Sequence, residues 1–313
     1  MNPAPPRAAG EGGFSLVELL VAMVLSLAVV GGSLMIFTSQ RRGFDRQQEV
    51  VNEQQIGRFA LSTIADDIRQ AGLWTRVTSP ATVIGSINNS LGDPRAIDGT
   101  DTLRLRYVGE MGQGTAITIA PPTITVASLD FDGDLAPDLT AADFANNGTV
   151  RLAVSEGPYG TVVEEVDAIG LAGNVLTLRG PGLVNSYDAP MVGIVHQVEY
   201  TLDTPLADLD MPSLYRERVR LDVDGNRISL RQQLANFIDD FQVEFGSGIP
   251  DQANLGAVGA ANVRAIRVAV VTRSEEEVLP VDAAFPLVQD SARGLANDRY
   301  LRRVYEQTVA LRN

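Results

Sequence analysis

Cysteine is absent from these 313 residues, histidine and tryptophan occur once each, and no lysine is found anywhere in the chain. Without cysteine there are no disulfides and no thiolate metal sites. A single histidine argues against a histidine-based metal centre or a serine–histidine–aspartate triad. All 25 basic side chains are therefore arginines, set against 39 carboxylates, for a net charge of −14. That balance argues against a nucleic-acid surface, which is normally basic. It favours solubility outside the cell and the attraction of cations. Aromatic residues make up only 6% of the chain, so a core must be built mainly from Val, Leu, Ile and Ala. Charge is missing in one further place: Leu19–Gln40 carries no ionisable residue at all.

That uncharged run is of membrane length. About 20 apolar residues cross a bilayer as a helix, and Phe14–Phe37 supplies more. A cleaved secretory signal fits less well, because its apolar core is usually ~7–15 residues and the cleavage site follows it. Here Gly12-Gly13 comes before the run, and the leader Met1–Gly13 is polar and rich in Pro, Gly and Ala. Cleavage on that side leaves the hydrophobic helix on the mature chain. One carboxylate, Glu18, stands at the lip of the run. A charge at the bilayer centre costs at least ~2.5–3.5 kcal/mol on insertion scales, so such a residue is expected to have a partner.

The succession Gly13-Phe14, three residues, Glu18 and an uncharged stretch resembles the class III signal of type IV prepilins. The resemblance implies cleavage by a membrane peptidase between Gly13 and Phe14, N-methylation of Phe14, and Glu18 as the fifth mature residue. It also implies that Glu18 meets the N-terminal amine of a neighbouring subunit. Paired, the two charges offset part of the cost that each carries alone in lipid, and the pair selects one axial offset. The blander reading is a signal anchor whose Glu18 snorkels to the headgroups. Arg41, Arg42 and Arg46 follow the run, whereas Arg7 before it is offset by Glu11. The positive-inside rule alone would put the N-terminus outside; prepilins keep the leader in the cytoplasm. The motif is the narrower pattern and decides.

Beyond the run, Ile56, Phe59, Ala60, Ile64, Ile68 and Ala71 recur at helical spacing. Arg58, Asp66, Asp67 and Arg69 are expected to face water or the flank, and Gly72 reads as a stop. A single helix over Phe14–Ala71 would be about 87 Å long, with Gly31-Gly32, Gly43 and Gly57 as weak points. The remainder is β-rich. Strands are expected at Thr102–Val108, Thr149–Val154, Gly160–Val166, Val175–Leu178, Val192–Leu202, Phe241–Phe245, Val263–Thr272 and Val304–Leu311. Asp224-Gly225 turns Ser213–Leu221 into a hairpin with Arg227–Leu230. Leu234–Asp240 reads as a short helix, and Gly246–Asn262 as a loop. The domain reading is a leader at 1–13, a transmembrane or fibre-core helix at 14–40, an amphipathic helix at 41–73 and a β-rich head at 74–313, with 79–211 as an insertion or subdomain. The fold class is α+β: one long N-terminal helix on a mostly antiparallel sheet.

That layout is similar to type IV pilins, and three segments sharpen the likeness. Ile56-Gly57-Arg58-Phe59-Ala60-Leu61 running on to Asp67-Ile68-Arg69-Gln70-Ala71-Gly72 resembles the helix end of PilW-type minor pilins. Phe237–Gly246 resembles a helix-to-strand turn in their heads. Val304-Tyr305 and Thr308–Asn313 resemble their last strand. The resemblance implies a non-enzymatic minor pilin that helps prime pilus assembly at or near the tip. It would sit in the inner membrane by a single pass before assembly and at the cell surface afterwards. Its partners would be the prepilin peptidase, other minor pilins and the major pilin. A pseudopilin of type II secretion, most like the J component, shares the leader, the Glu and the helix. Head length and the Thr308–Asn313 ending separate the two.

One motif points elsewhere. Asp130, Asp132, Asp134 and Asp138 stand at positions 1, 3, 5 and 9 of a loop, with the Ala136 carbonyl at position 7. Alternate inward side chains suit a hard cation that wants about 6–8 oxygens. The stretch resembles the calcium loops of integrin-like β-propeller repeats. It departs from them at Leu135, where Gly is usual, and at Ala141, which replaces a bidentate Glu. Calcium and a solvated acidic turn both fit. Asp222-Val223-Asp224-Gly225-Asn226 is explained by its hairpin. His196 lies in an apolar strand and reads as structural. Trp74 reads as a packing anchor.

Overall fold

The computed structural model describes residues 15–71, 84–87, 96–131, 133–157, 163–180, 182–185, 187–188, 190–204, 211–221, 224, 226–246, 263–279, 281–286, 288 and 298–311. The leader, Phe14, Gly72, Trp74, Asp132 and most of Gly246–Asn262 lie outside them. The chain divides into two units, residues 1–51 and 52–313.

Residues Leu16–Gln70 form one helix, α1. In the first unit its apolar side chains face outward all round, with Leu16, Leu19, Val24, Leu27 and Phe37 each more than half exposed. It is long and apolar enough to cross a membrane. In the second unit it becomes one-sided. Ala60, Ile64 and Ile68 are fully buried, with Leu61, Ala65 and Ala71 beside them. Burying one Ile side chain contributes roughly 1.5–3 kcal/mol, so this stripe anchors the last turns. Two expectations fail here. Phe59 is 56% exposed, because it sits a hundred degrees round from Ala60 and faces away from the stripe. Asp67 is buried instead of facing water.

Twelve strands are described, all paired antiparallel. They are β1 (Ile84–Ile87), β2 (Thr102–Ile119), β3 (Pro122–Val126), β4 (Val150–Glu156), β5 (Val163–Ala172), β6 (Val175–Leu178), β7 (Pro190–Asp203), β8 (Ser213–Leu221), β9 (Arg227–Asn236), β10 (Ile238–Gly246), β11 (Ala265–Glu277) and β12 (Tyr300–Ala310). One sheet runs β1-β2-β3-β6-β5-β4-β7-β8-β9, and β2 pairs with β7 as well; the other is β10-β11-β12. The extra β2–β7 ladder closes β2-β3-β6-β5-β4-β7 into a six-stranded ring.

Two cores follow. The first joins α1 to β1, the opening half of β2, the closing half of β7, β8 and the three-stranded sheet, with Leu103, Leu105, Tyr200, Leu202, Phe241, Phe245 and Val268 among its members. The second fills the ring. Ile124, Val126, Leu152, Val154, Leu176, Val192 and Ile194 fall at alternate positions and point inward. A smaller cluster of Ala269, Val271, Phe285 and Val288 covers the other face of β11.

The helix expected over Leu234–Asp240 is absent: β9 runs to Asn236 and β10 starts at Ile238. Phe237 adopts φ 55° between them and makes a sharp strand-to-strand corner. The corner is pinned by hydrogen bonds from Ile238 N to Pro212 O (3.1 Å) and from Arg273 N to Phe237 O (2.8 Å). The likeness of Phe237–Gly246 to a helix-to-strand turn is corrected accordingly. The spacing of Leu234, Ile238 and Phe241 imitates a helical period because the corner shifts the alternation between two strands.

Candidate functional site

Within the apolar segment, Ser15 precedes α1 and its hydroxyl accepts a hydrogen bond from Val17 N at 3.3 Å. Glu18 follows in the first turn. Ser15-Leu16-Val17-Glu18 has capping-box spacing, and a carboxylate in a first turn also complements the helix dipole. The spacing of Ser15 and Glu18 makes that local role legible in the sequence. The segment's hydroxyls are satisfied within the helix. Ser26 Oγ donates to Ala22 O (2.7 Å), Ser33 Oγ to Val29 O (2.8 Å) and Thr38 Oγ1 to Met35 O (3.0 Å). Polar groups in an apolar medium need such partners. Gly13 and Phe14 lie outside the described residues.

The second feature is a buried ion pair under α1. Arg216 of β8 donates from Nε to Asp67 Oδ2 (2.8 Å) and from Nη2 to Asp67 Oδ1 (3.0 Å). Tyr107 of β2 donates to the same carboxylate at 3.3 Å, and Tyr200 of β7 donates a short bond to it. Three strands thus converge on one carboxylate of α1. Burial, reinforced by the Asp67 charge, pushes the Tyr107 hydroxyl up to about 12. The same causes raise Tyr200. Burial alone would lower Arg216, but the hydrogen bonds and charge of Asp67 outweigh it and hold the guanidinium firmly protonated. The helical period puts Asp67 between Ile64, Ile68 and Ala71, so a sequence reader could have placed it on the buried side.

The acidic loop is built on two apolar anchors. Phe131 and Leu139 insert into the ring's core. Phe131 lies against Gly112 so closely that a Cβ there would stand 2.5 Å from the ring. Between the anchors the chain turns through left-handed Gly133 (φ 83°) and Leu135 (φ 75°). Leu135 therefore adopts the conformation for which Gly is usual. Asp130 accepts from Gly133 N (2.7 Å) and Leu135 N (3.0 Å), Asp134 from Ala136 N (2.8 Å), and Asp138 from Phe131 N (2.6 Å). Among the described residues no three such side chains converge as metal ligands; Asp132 is not one of those residues.

His196 of β7 pairs with Glu110 and lies 5.4 Å, centroid to centroid, from the Tyr107 ring. The hydrogen bond from His196 holds the Glu110 carboxyl below its usual range, against the effect of burial. This is a satisfied structural histidine.

The architecture is that of an α+β protein with one N-terminal helix of membrane length and a β-rich second unit. Residues 199–313 match the family model described as Type IV Pilus-assembly protein W, which supports a PilW-type pilus protein. The match begins within β7 and covers β8–β12. Comparisons with curated proteins and with solved structures return no match.

Proposed function

We propose that this chain is a minor pilin that helps initiate type IV pilus assembly, at or near the tip, without catalysing a reaction. The observation that carries the reading is the PilW match over residues 199–313 in a chain whose other end is a single apolar helix with Glu18 in its first turn. The match names pilus assembly, which speaks for this reading over a secretion pseudopilin. In the proposed cycle, cleavage after Gly13 frees the Phe14 amine. The helix holds the protein in the inner membrane. Glu18 then meets the amine of a neighbouring pilin, and the helix moves from lipid into the fibre with its apolar surface still covered. Other minor pilins and the major pilin are the proposed partners. The test is to delete the gene, count surface pili, and probe sheared wild-type fibres for this protein. Normal piliation in the deletion, with the protein absent from fibres, would overturn the reading.

For the acidic loop we propose calcium, with Asp132 and the Ala136 carbonyl joining Asp130, Asp134 and Asp138. Support comes from the spacing of the carboxylates and from the left-handed turn that curls the loop around Asp130.

A further inference from the structure

The three-stranded sheet has two edges, and they end differently. The edge of β10 is sealed. Asp101 N donates to Phe241 O (2.8 Å) and Val243 N donates to Asp101 Oδ2 (2.7 Å), so the turn before β2 stands where a further strand would pair. The other edge is β12, 11 residues long. Leu301 N donates to Ser274 Oγ (3.0 Å) and Leu311 N to Arg264 O (2.9 Å), so the odd-numbered residues of β12 turn their main chain toward β11. Main-chain groups alternate from edge to edge along an antiparallel strand. The N–H and C=O of Val304, Glu306 and Thr308 therefore point outward, and no strand pairs with them among the described residues. Natural edges are commonly blunted by short length, proline, lysine or a bulge. Arg302–Ala310 contains no proline or lysine, and its register with β11 is unbroken.

Beside this open edge lies a groove of about 320 Å³. Gln54 and Arg58 of α1 form one wall, and Arg303, Val304 and Tyr305 of β12 the other. Gly57 lets the helix come down onto the strand here, since a Cβ in its place would stand 2.4 Å from the Tyr305 ring. Arg303 reaches the buried Glu53 at 3.6 Å. Arg58 is exposed, and although carboxylates outnumber arginines 39 to 25 in this chain, none pairs with it among the described residues. On the other face of β12, Val304 keeps 37% of its surface in solvent. An open strand edge beside a helix-walled groove suits strand addition. Main-chain hydrogen bonds hold the added segment, and its alternate side chains are read by what lies on either face. A strand added to β12 turns every second side chain toward α1 and Arg58, and the intervening ones toward the Val304 side.

We propose that the open edge of β12, with the groove between it and α1, binds an extended acidic segment of a partner protein. The segment adds as a fourth strand. Its side chains alternate between carboxylates, one of which meets Arg58, and apolar groups that cover Val304. This inference goes beyond the proposed function and does not rest on it: it is read from binding by the purified chain, whereas that reading is decided by piliation.

The full chain in detergent micelles is titrated calorimetrically, at fixed ionic strength, with an end-blocked hexapeptide of alternating Val and Glu and with its counterpart of alternating Val and Lys. Saturable one-to-one binding of the Val-Glu peptide is expected, with the Val-Lys peptide at least tenfold weaker. Arg58→Gln should weaken Val-Glu binding about tenfold, the worth of one charge-assisted hydrogen bond, and keep the wild-type unfolding midpoint. Glu306→Pro removes an outward N–H, a position where an edge strand tolerates proline. It should abolish binding even though it also removes a negative charge that would repel the peptide; circular dichroism checks its fold. No saturable binding, equal binding of the two peptides, or wild-type affinity in both variants would overturn the proposal. Self-association of the chain that Glu306→Pro abolishes, without peptide binding, would assign the edge to a second copy and overturn the acidic partner.

Discussion

Replacing Asp67 by Ala probes the joint between α1 and the sheet of the second unit. The carboxylate side chain is 8% exposed and its Arg216 partner 15%, so the charge left behind stays largely out of water. Removing one partner of a buried pair costs about 3–5 kcal/mol. The hydroxyls of Tyr107 and Tyr200 also lose their acceptor, at about 1–3 kcal/mol each when nothing replaces it. These costs overlap, because one water entering the vacated volume can serve several donors. The expected total is therefore roughly 4–6 kcal/mol, a large share of the 5–15 kcal/mol typical of a domain.

Urea denaturation of the full chain in detergent, followed by circular dichroism, measures that loss. Hydrogen exchange should accelerate along Ala60–Ile68, since the pair fastens this stretch to β2, β7 and β8. The double variant Asp67→Ala/Arg216→Met removes both charges and refills part of the space. It should be clearly more stable than the single variant, because apolar replacement of a buried pair is often neutral or better. A single-variant loss below about 1 kcal/mol, or a double variant no better than the single, would refute the account of a desolvated pair.

Five other outcomes are expected. Glu18→Ala should leave the second unit folded while sharply reducing incorporation into fibres, read by immunoblot of sheared pili; normal incorporation would count against the amine pairing. Gly57→Ala places a Cβ 2.4 Å from the Tyr305 ring, and overpacking of about 1–3 kcal/mol should outweigh a helix-propensity gain of up to ~1 kcal/mol. Gly43→Ala, with open space around it, should be neutral or stabilising. Alkaline titration should destabilise the fold between pH 10 and 12. The Tyr107 pKa rises from 10.0 to about 12 on folding, so above pH 10 the unfolded state sheds its proton first and up to roughly 2–3 kcal/mol is lost by pH 12; Tyr107→Phe should flatten that limb. Calorimetry with Ca²⁺ and Mg²⁺ should give saturable, calcium-selective heat that Asp130→Asn abolishes, whereas a solvated turn would give none.

Much of the layout was legible because it rests on local pattern. The uncharged run and its one-sided continuation predict α1. The spans Val175–Leu178 and Ser213–Leu221 coincide with β6 and β8. What escaped depends on contacts between distant residues. The ring closes only because the far ends of β2 and β7 meet, as in Gln113 opposite Met191, and nothing local announces that. The burial of Asp67 escapes a local pattern because a carboxylate is normally solvated and its partner stands 149 residues away. The corner at Phe237 escapes it because a β corner with positive φ imitates a helical period. The anchors Phe131, after the first aspartate, and Leu139, after the last, stand in plain view, and their apolar character announces a loop fixed to a core.

The ring also explains how a second core is added without new sheet edges. An open sheet would add edges, and exposed edges recruit other chains. Closing β2-β3-β6-β5-β4-β7 leaves none within the ring. The ring is not tethered by flexible linkers either. β2, from Thr102 to Ile119, and β7, from Pro190 to Asp203, are far longer than the common strand of about 5–6 residues. Each gives one half to the α1-facing core and the other half to the ring core. A ladder interrupted only by a bulge at Glu110 runs from Leu103 opposite Tyr200 to Gln113 opposite Met191 and carries the backbone from one core to the other. The family match starts at residue 199, near the point on β7 where pairing passes to β8. The part that carries the family likeness and the part that does not are therefore coupled by main-chain hydrogen bonds. The same two strands also reach α1, because Tyr107 of β2 and Tyr200 of β7 both donate to Asp67.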